Sequence, residues 1–482
     1  MQVYVYEPSF IVGQAVTLCV TPNKQFAIAM YRQGAGEALI PQTTWSLASS
    51  SNVQFVGTAR NGRKIFRSGN APAQGRFDQD WQWPQVGVKT DRDTWGSGVY
   101  VAAVFEVNAD GVGIDALGTK IDRGQPIYPY PPDSDAMALA VGKPYMPATA
   151  NIAYVVPIAT YHAYNLTGGG CFYAYNAPPG GAPYQQQTVV TMRRPGGGLG
   201  AFLGEPPDPY DPVSPRQQFA HWDAKFVRWL ATKDISCDFY TDIDLHAGQG
   251  QLTLSLYQLM LSVGHHEYWS QAMRDALQTF LTAGGNYACF SGNTCYRPIN
   301  FGAYRTSGFM TSVNRLADHW PDYDEWQLIQ LGYNWGGGRW GDAGANFGQW
   351  TNTTRNNYGY QVQPGKSDHW IFAGTGLSDN AYFGNGNKDY LVGYECDGKP
   401  PSGKLNVLAR SPQLAGFQDG RTNQASFGII NDVSGARYQH NVVFNAGTTD
   451  WARVLMDPQA ASQSVLDHIT YNVVTKLSDR PD

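Results

Sequence analysis

In the first part of the chain, hydrophobic positions recur with a period of two. Val16, Leu18 and Val20 alternate with polar or small partners, the pattern of a half-buried strand. The runs 26–31 and 99–107 are further short apolar stretches, bounded by turn residues such as Asn23, Gly36, Gly62 and Gly96-Ser97-Gly98. No segment here holds a helical period for three turns, so residues 1–125 are expected to form an antiparallel β-sandwich. Residues 126–150 open on Pro126-Ile-Tyr-Pro-Tyr-Pro-Pro132 and have few periodic positions, which predicts a Pro-rich linker.

The pattern changes at Ile152. Ile152-Ala-Tyr-Val-Val156 is continuously apolar, as in a strand covered on both faces. Ser214-Pro215 predicts a helix start, with Phe219, Trp222, Phe226, Trp229 and Leu230 on one face. A strand with its exit is expected over 235–245, and strands over 256–263, 287–290 and 390–397. Between the second and third lies a helix with Ser270 as N-cap, Met273, Leu277, Phe280 and Leu281 as its apolar stripe, and Gly284-Gly285 as its end. Strand–helix–strand units at this spacing predict a parallel α/β domain over 151–482. The Gly-, Asn- and Trp-rich stretch 333–360 is expected to be a long surface loop near the site.

Composition narrows the function classes. With 42% hydrophobic, 13% aromatic and only 15% charged residues, the chain has ample surface to bury, and 54 Gly and 29 Pro exclude a coiled coil or helical array. A net charge of −5 argues against nucleic acid and anionic membranes as partners. No stretch approaches the roughly 20 apolar residues of a membrane span, and the first residues lack the pattern of a signal peptide. The six cysteines have no zinc-ligand spacing and several sit in apolar runs, so buried reduced thiols and a cytoplasmic location are expected. The abundance of Tyr and Trp suggests a homo-oligomer.

Open α/β sheets bind ligands at the carboxyl ends of their strands. Those exits are chemically loaded: Ala159-Thr-Tyr-His-Ala-Tyr-Asn165, Gly264-His-His-Glu-Tyr-Trp269, Ser291-Gly-Asn-Thr294 and the carboxylates Glu395 and Asp397. Each has a plainer reading. His265-His266-Glu267 can be a helix-entry cap with an exposed ion pair, Tyr164 or Tyr173 can be core filler, and Asn293 can be a turn residue. There is no HExxH, GxGxxG, Walker loop or GxSxG. Hard oxygen donors beside imidazole suit a Lewis-acidic metal, and ferric iron favours phenolate by depressing the tyrosine pKa.

These segments resemble the large subunit of N,N-dimethylformamidase and the family sharing its C-terminal region. The resemblance is carried by 159–165 with Gly-Gly and Phe-Tyr173, by 264–270, by Ala283-Gly-Gly-Asn286 and by Ser291-Gly-Asn293. It continues in Val392-Gly-Tyr-Glu-Cys-Asp397, Phe444-Asn-Ala-Gly-Thr-Thr-Asp-Trp451 and Ile469-Thr-Tyr-Asn-Val473. Tyr31-Arg32 and Trp95-Gly-Ser-Gly-Val-Tyr100 echo the family's preceding sandwich, so nearly the whole chain is covered.

The resemblance implies an amidohydrolase cleaving the C–N bond of a small amide at a mononuclear, ferric iron held by two tyrosines and a glutamate. Carried over, Glu267 matches the carboxylate ligand, and Tyr164 and Tyr173 match the tyrosines, with Tyr161 as the substitute. His265, Asn293 and Glu395 match the assisting catalytic residues. The expected fold is an N-terminal antiparallel β-sandwich followed by a parallel-sheet α/β domain of the flavodoxin or glutamine-amidotransferase type, with the site on a solvent-facing rim. A small partner subunit is also implied. Two other classes remain open: a carbohydrate-binding or scaffold protein without a metal site, and a metal-free α/β hydrolase using Glu and His alone.

Overall fold

The computed structural model describes residues 1–34, 38–39, 45–46, 53–58, 64–72, 75–107, 113–114, 136–173, 184–197, 207–208, 211–215, 218–219, 222–248, 251–303, 310–316, 358–392, 395–398, 405–413, 424–431 and 441–479. The Pro126–Pro132 run and nearly all of the 333–360 stretch lie outside them.

The N-terminal part is built of two sheets. One holds Val3–Val5, Ala15–Val20, Gln85–Lys89 and Trp45–Ser46 in that order. The other runs Ser9–Ile11, Met137–Lys143, Gly98–Val107, Gln25–Arg32, Lys64–Ser68, Val53–Thr58. Met137–Lys143 lies in the stretch expected to be linker, yet it pairs antiparallel along Gly98–Val107. The physical reason is visible in which core each residue joins. Tyr100, Ala102, Val104, Ala138 and Ala140 pack inside the sandwich. Their neighbours Val99, Val101, Ala103, Phe105, Met137, Leu139 and Val141 join the core of the second domain. Successive strand residues point to opposite faces, and here both faces are covered, so the alternation that marks a half-exposed strand is missing. Lys143 ties the domains further, its Nζ 2.6 Å from Asp244 Oδ1 with both side chains buried.

The second domain is a mixed α/β unit centred on a nine-stranded sheet. Five strands are parallel: Asp238–Thr241, Ile152–Val156, Leu259–Gly264, Asn286–Ser291 and Val442–Asn445. Four more, Ser426–Asn431, Asn406–Arg410, Tyr360–Val362 and Tyr382–Phe383, continue it antiparallel. The expectation of a parallel sheet therefore holds for one half only. The described residues of the 390–397 stretch form no sheet strand; among them Cys396 makes an isolated bridge to Thr448.

The direction of strand progression reverses between Ile152–Val156 and Leu259–Gly264. Right-handed crossovers then send helix Asp223–Thr232 to one face and helix Gln271–Thr282 to the other. Helix Gln271–Thr282 matches the sequence pattern: Ser270 Oγ accepts the Met273 amide at 3.2 Å, and Met273, Leu277, Phe280 and Leu281 are buried. Helix Asp223–Thr232 begins later than Ser214-Pro215 suggested, because Asp211–Pro215 is a strand. The strand expected with its exit within 235–245 is Asp238–Thr241, and Thr241 caps helix Asp242–Ala247 through the Asp244 amide. All six cysteines are free and buried. Among the described residues no helix is long and apolar enough to cross a membrane.

Candidate active site

The site sits where the strand order reverses, at the carboxyl ends of Ile152–Val156, Leu259–Gly264 and Asn286–Ser291, where such sheets open a crevice. Each exit needs a particular backbone. Gly264 has φ +72°, and a β-carbon there would lie 2.2 Å from Trp222 Cβ, so only glycine lets the chain turn into His265. A β-carbon on Gly292 would meet the Glu395 carbonyl at 2.4 Å, so this glycine admits the Glu395 segment against the strand exit. Asn293 follows at φ +53°, a left-handed conformation that Asn tolerates better than most residues. Thr160 Oγ1, on the short helix Ile158–Ala163, accepts the amides of Glu267 and Tyr268 at 3.2 and 3.3 Å. Glu395 is held by the Thr449 amide, which donates to its carbonyl at 3.1 Å.

These supports bring six of the expected residues together. Tyr164 Oη donates to Glu267 Oε2 at 2.7 Å. Tyr173 Oη lies 3.1 Å from Tyr164 Oη and 3.4 Å from Glu267 Oε1, and the two rings stack at 4.8 Å. Asn293 Nδ2 donates to Glu395 Oε2 at 2.8 Å and to Glu267 Oε1 at 3.3 Å. His265 Nε2 is 2.6 Å from Glu395 Oε2 and 3.4 Å from Glu267 Oε2. Tyr161 does not join them: its hydroxyl donates to buried Asp223, which also accepts from Tyr154.

One expectation needs correction, and one plainer reading of the motif falls. Glu267 is not on a solvent-facing rim; it is 1% exposed, as is His265. Nor does it cap the following helix, a role taken by Ser270. Two contributors were not foreseen. Arg297 Nε donates to Glu267 Oε1 at 3.2 Å, and the Tyr268 hydroxyl hydrogen-bonds to that of Tyr173. Tyr268 stood inside the Gly-His-His-Glu-Tyr-Trp block and so had a signal. Arg297 had none, because it arrives through a parallel pairing that sets it opposite Tyr268.

Burial dominates the electrostatics. It holds the Glu267 carboxyl above its ordinary value against the pull of His265, with Glu395 adding to the rise and Arg297 opposing it. Burial, then the nearby Glu267 charge, also pushes the Tyr164, Tyr173 and Tyr268 phenols up. Left to themselves these phenols stay protonated, and those of Tyr164 and Tyr173 donate to the carboxylate. A bound cation would reverse that preference by taking the place of the shared protons.

Two overlapping donor sets share Glu267. His265, Glu267 and Glu395 offer ligand atoms within 4.8 Å of one another and can hold a metal ion. The Tyr164 hydroxyl, Tyr173 hydroxyl and Glu267 carboxylate form the second, at oxygen separations of 2.7, 3.1 and 3.4 Å. Neighbouring oxygens on an octahedron of radius about 2.0–2.1 Å lie about 2.9 Å apart, so this oxygen set fits a small hard cation.

The chain is thus a mixed α/β protein with a buried cluster of imidazole, carboxylate and phenol at the reversal point of its sheet, the place where such sheets take ligands. A family model described as N,N-dimethylformamidase beta subunit-like, C-terminal, matches residues 44–464, and the chain belongs to that family. The family is described by the beta subunit, where the motifs had pointed to the large subunit. No curated protein matches the chain.

Proposed function

We propose that the protein is a metal-dependent amidohydrolase that cleaves the C–N bond of a small amide, in the manner of a dimethylformamidase. The observation that carries this reading is the convergence of the Tyr164 and Tyr173 hydroxyls on both oxygens of buried Glu267. Tyr164, Tyr173 and Glu267 would hold the metal, and the phenol-rich donor set favours ferric iron. When bound, the ion supplies Lewis-acid polarisation of a carbonyl or a nucleophilic water at neutral pH.

The chain's own residues supply the rest. Glu395 and His265, in contact at 2.6 Å, form a base pair that can take a proton from water and return it to the departing amine. Asn293 donates to the carbonyl oxygen as negative charge develops there. Its Nδ2 is engaged by two carboxylates, so substrate binding exchanges one of these bonds, and the 3.3 Å bond to Glu267 is the weaker. Water adds to the carbonyl carbon, the C–N bond breaks, and a carboxylic acid and an amine leave. The strand order of the parallel half supports a flavodoxin-type relationship for this domain. The family description supports membership of a multi-subunit assembly.

The test combines elemental analysis of purified protein with an assay of N,N-dimethylformamide hydrolysis to formate and dimethylamine. About one iron per chain with turnover supports the proposal. Turnover in metal-free protein would favour the hydrolase using Glu395 and His265 alone, a reading that their contact also permits. Protein with neither metal nor turnover would favour a binding or scaffold role.

A further inference from the structure

We infer that Arg194 is the positioning residue of the loop that carries Tyr164 and Tyr173, and that the sandwich domain holds that loop in place through it. This rests on reading the two tyrosines as ligands.

Arg194 is fully buried. Its Nε donates to the Thr191 carbonyl at 2.9 Å, and its Nη2 to that of His162 at 3.1 Å. Its Nη1 reaches the carbonyls of Asn165, Thr167 and Gly170 at 2.8, 2.5 and 3.2 Å. Four of these acceptors belong to the stretch 162–170. His162 and Asn165 bracket Tyr164, and Gly170 begins the two-residue strand that leads to Tyr173. Helix Ile158–Ala163 has ended before Tyr164, and the backbone bonds beyond it are those of turns and of the two-residue pairing of Gly170–Cys171 with Gln185–Gln186, so Arg194 adds to a stretch with only short regular elements. A guanidinium removed from water must be solvated by the protein, and its planar fork of donors imposes fixed directions on what surrounds it. Here one side chain orders both tyrosine-bearing ends of the loop.

The far side of this clasp is tied to the sandwich domain. The Thr191 amide donates to the Phe77 carbonyl at 2.8 Å, and the Trp81 amide to the Arg193 carbonyl at 3.0 Å. Gly168, at φ +90°, presses on the same segment: a β-carbon there would lie 2.7 Å from the Phe77 nitrogen. The chain of contact thus runs from sandwich to Arg194 to ligand loop.

The test compares the full-length protein with Arg194→Lys and Arg194→Met. Metal-stripped samples are titrated with ferric ion, following the tyrosinate-to-iron absorption band, and the fold is checked by circular dichroism. Arg194→Lys keeps the charge but offers a point of donors instead of a fork. It should fold, bind ferric ion about 10–100-fold more weakly and shift the band, with Arg194→Met weaker still. Wild-type affinity and band in both folded variants would overturn the inference. Loss of the fold in both would overturn it too, since Arg194 would then hold the domain and not the loop. If the wild type binds no ferric ion, the ligand reading has failed. The clasp is then judged by amide exchange over 162–173: faster exchange confined there in Arg194→Lys supports it, and unchanged exchange overturns it.

Discussion

The side-chain amide of Asn293 lies between two carboxylates, 2.8 Å from Glu395 and 3.3 Å from Glu267. Its bond to Glu395 joins two residues that are 102 apart in the chain. It therefore couples the proposed metal ligand to the proposed base.

Asn293 combines chemistry with backbone strain, and two substitutions separate them. Asn293→Gly accepts φ +53° without penalty, whereas Asn293→Ala adds about 1 kcal/mol for a left-handed residue. Both remove the amide, so both should lose about 100-fold or more in kcat if it stabilises the oxyanion. Denaturant melts should rank glycine above alanine in stability, with kcat equally low. Equal stability would show that the turn stores no strain.

Glu267→Ala should abolish metal binding while circular dichroism remains that of a folded protein. Because Glu267 is buried and accepts from Arg297, its removal also leaves donors unmatched, at about 1–3 kcal/mol of stability. Metal retained at the wild-type ratio would end the ligand assignment, whatever happens to activity.

Glu395→Gln should behave differently. It keeps the shape and an oxygen acceptor for Asn293 but removes the base, so metal content should persist while kcat falls by about 100-fold or more. A metal content that falls with kcat would move Glu395 into the ligand set with His265 and Glu267.

Asp242 gives the stability a pH dependence that is separable from the site. Burial raises its carboxyl from 3.8 to about 8, while its Oδ2 accepts the Ala159 amide at 2.8 Å. Between these two values the folded state binds a proton that the unfolded state has released, so this residue favours folding at low pH and its contribution is lost as pH rises towards 8. Asp242→Asn, which cannot ionise, should raise Tm relative to wild type at pH 8 and narrow the difference near pH 4. A parallel pair of Tm curves would refute the shift.

Removing the domain tie should cost more than a surface change. Lys143→Met leaves Asp244 with a buried, uncompensated charge, which predicts about 3–5 kcal/mol of destabilisation by denaturant unfolding. A change below about 1 kcal/mol would mean that water replaces the lysine.

Local pattern carried much of this molecule. Period two marked Ala15–Val20, an unbroken apolar run marked Ile152–Val156, and an N-cap with a helical stripe marked Gln271–Thr282, because each is decided by neighbours within a few residues. The motif blocks likewise pointed to Glu267, His265 and Asn293, which sit directly at strand exits. What remained hidden depends on strand order and register. Tyr161 and Tyr164 are three residues apart in one motif, yet the helix ends between them, so one faces Asp223 and the other Glu267. Arg297 reaches Glu267 because Tyr268–Ser270 pairs with Arg297–Ala303, and Arg194 meets carbonyls that lie up to 32 residues before it in the chain. The antiparallel half of the sheet, and the strand Met137–Lys143 that feeds two cores, carry no local signature of their partners. A strand's own residues encode that it is extended and buried; which strand lies beside it is settled by the packing of the whole chain.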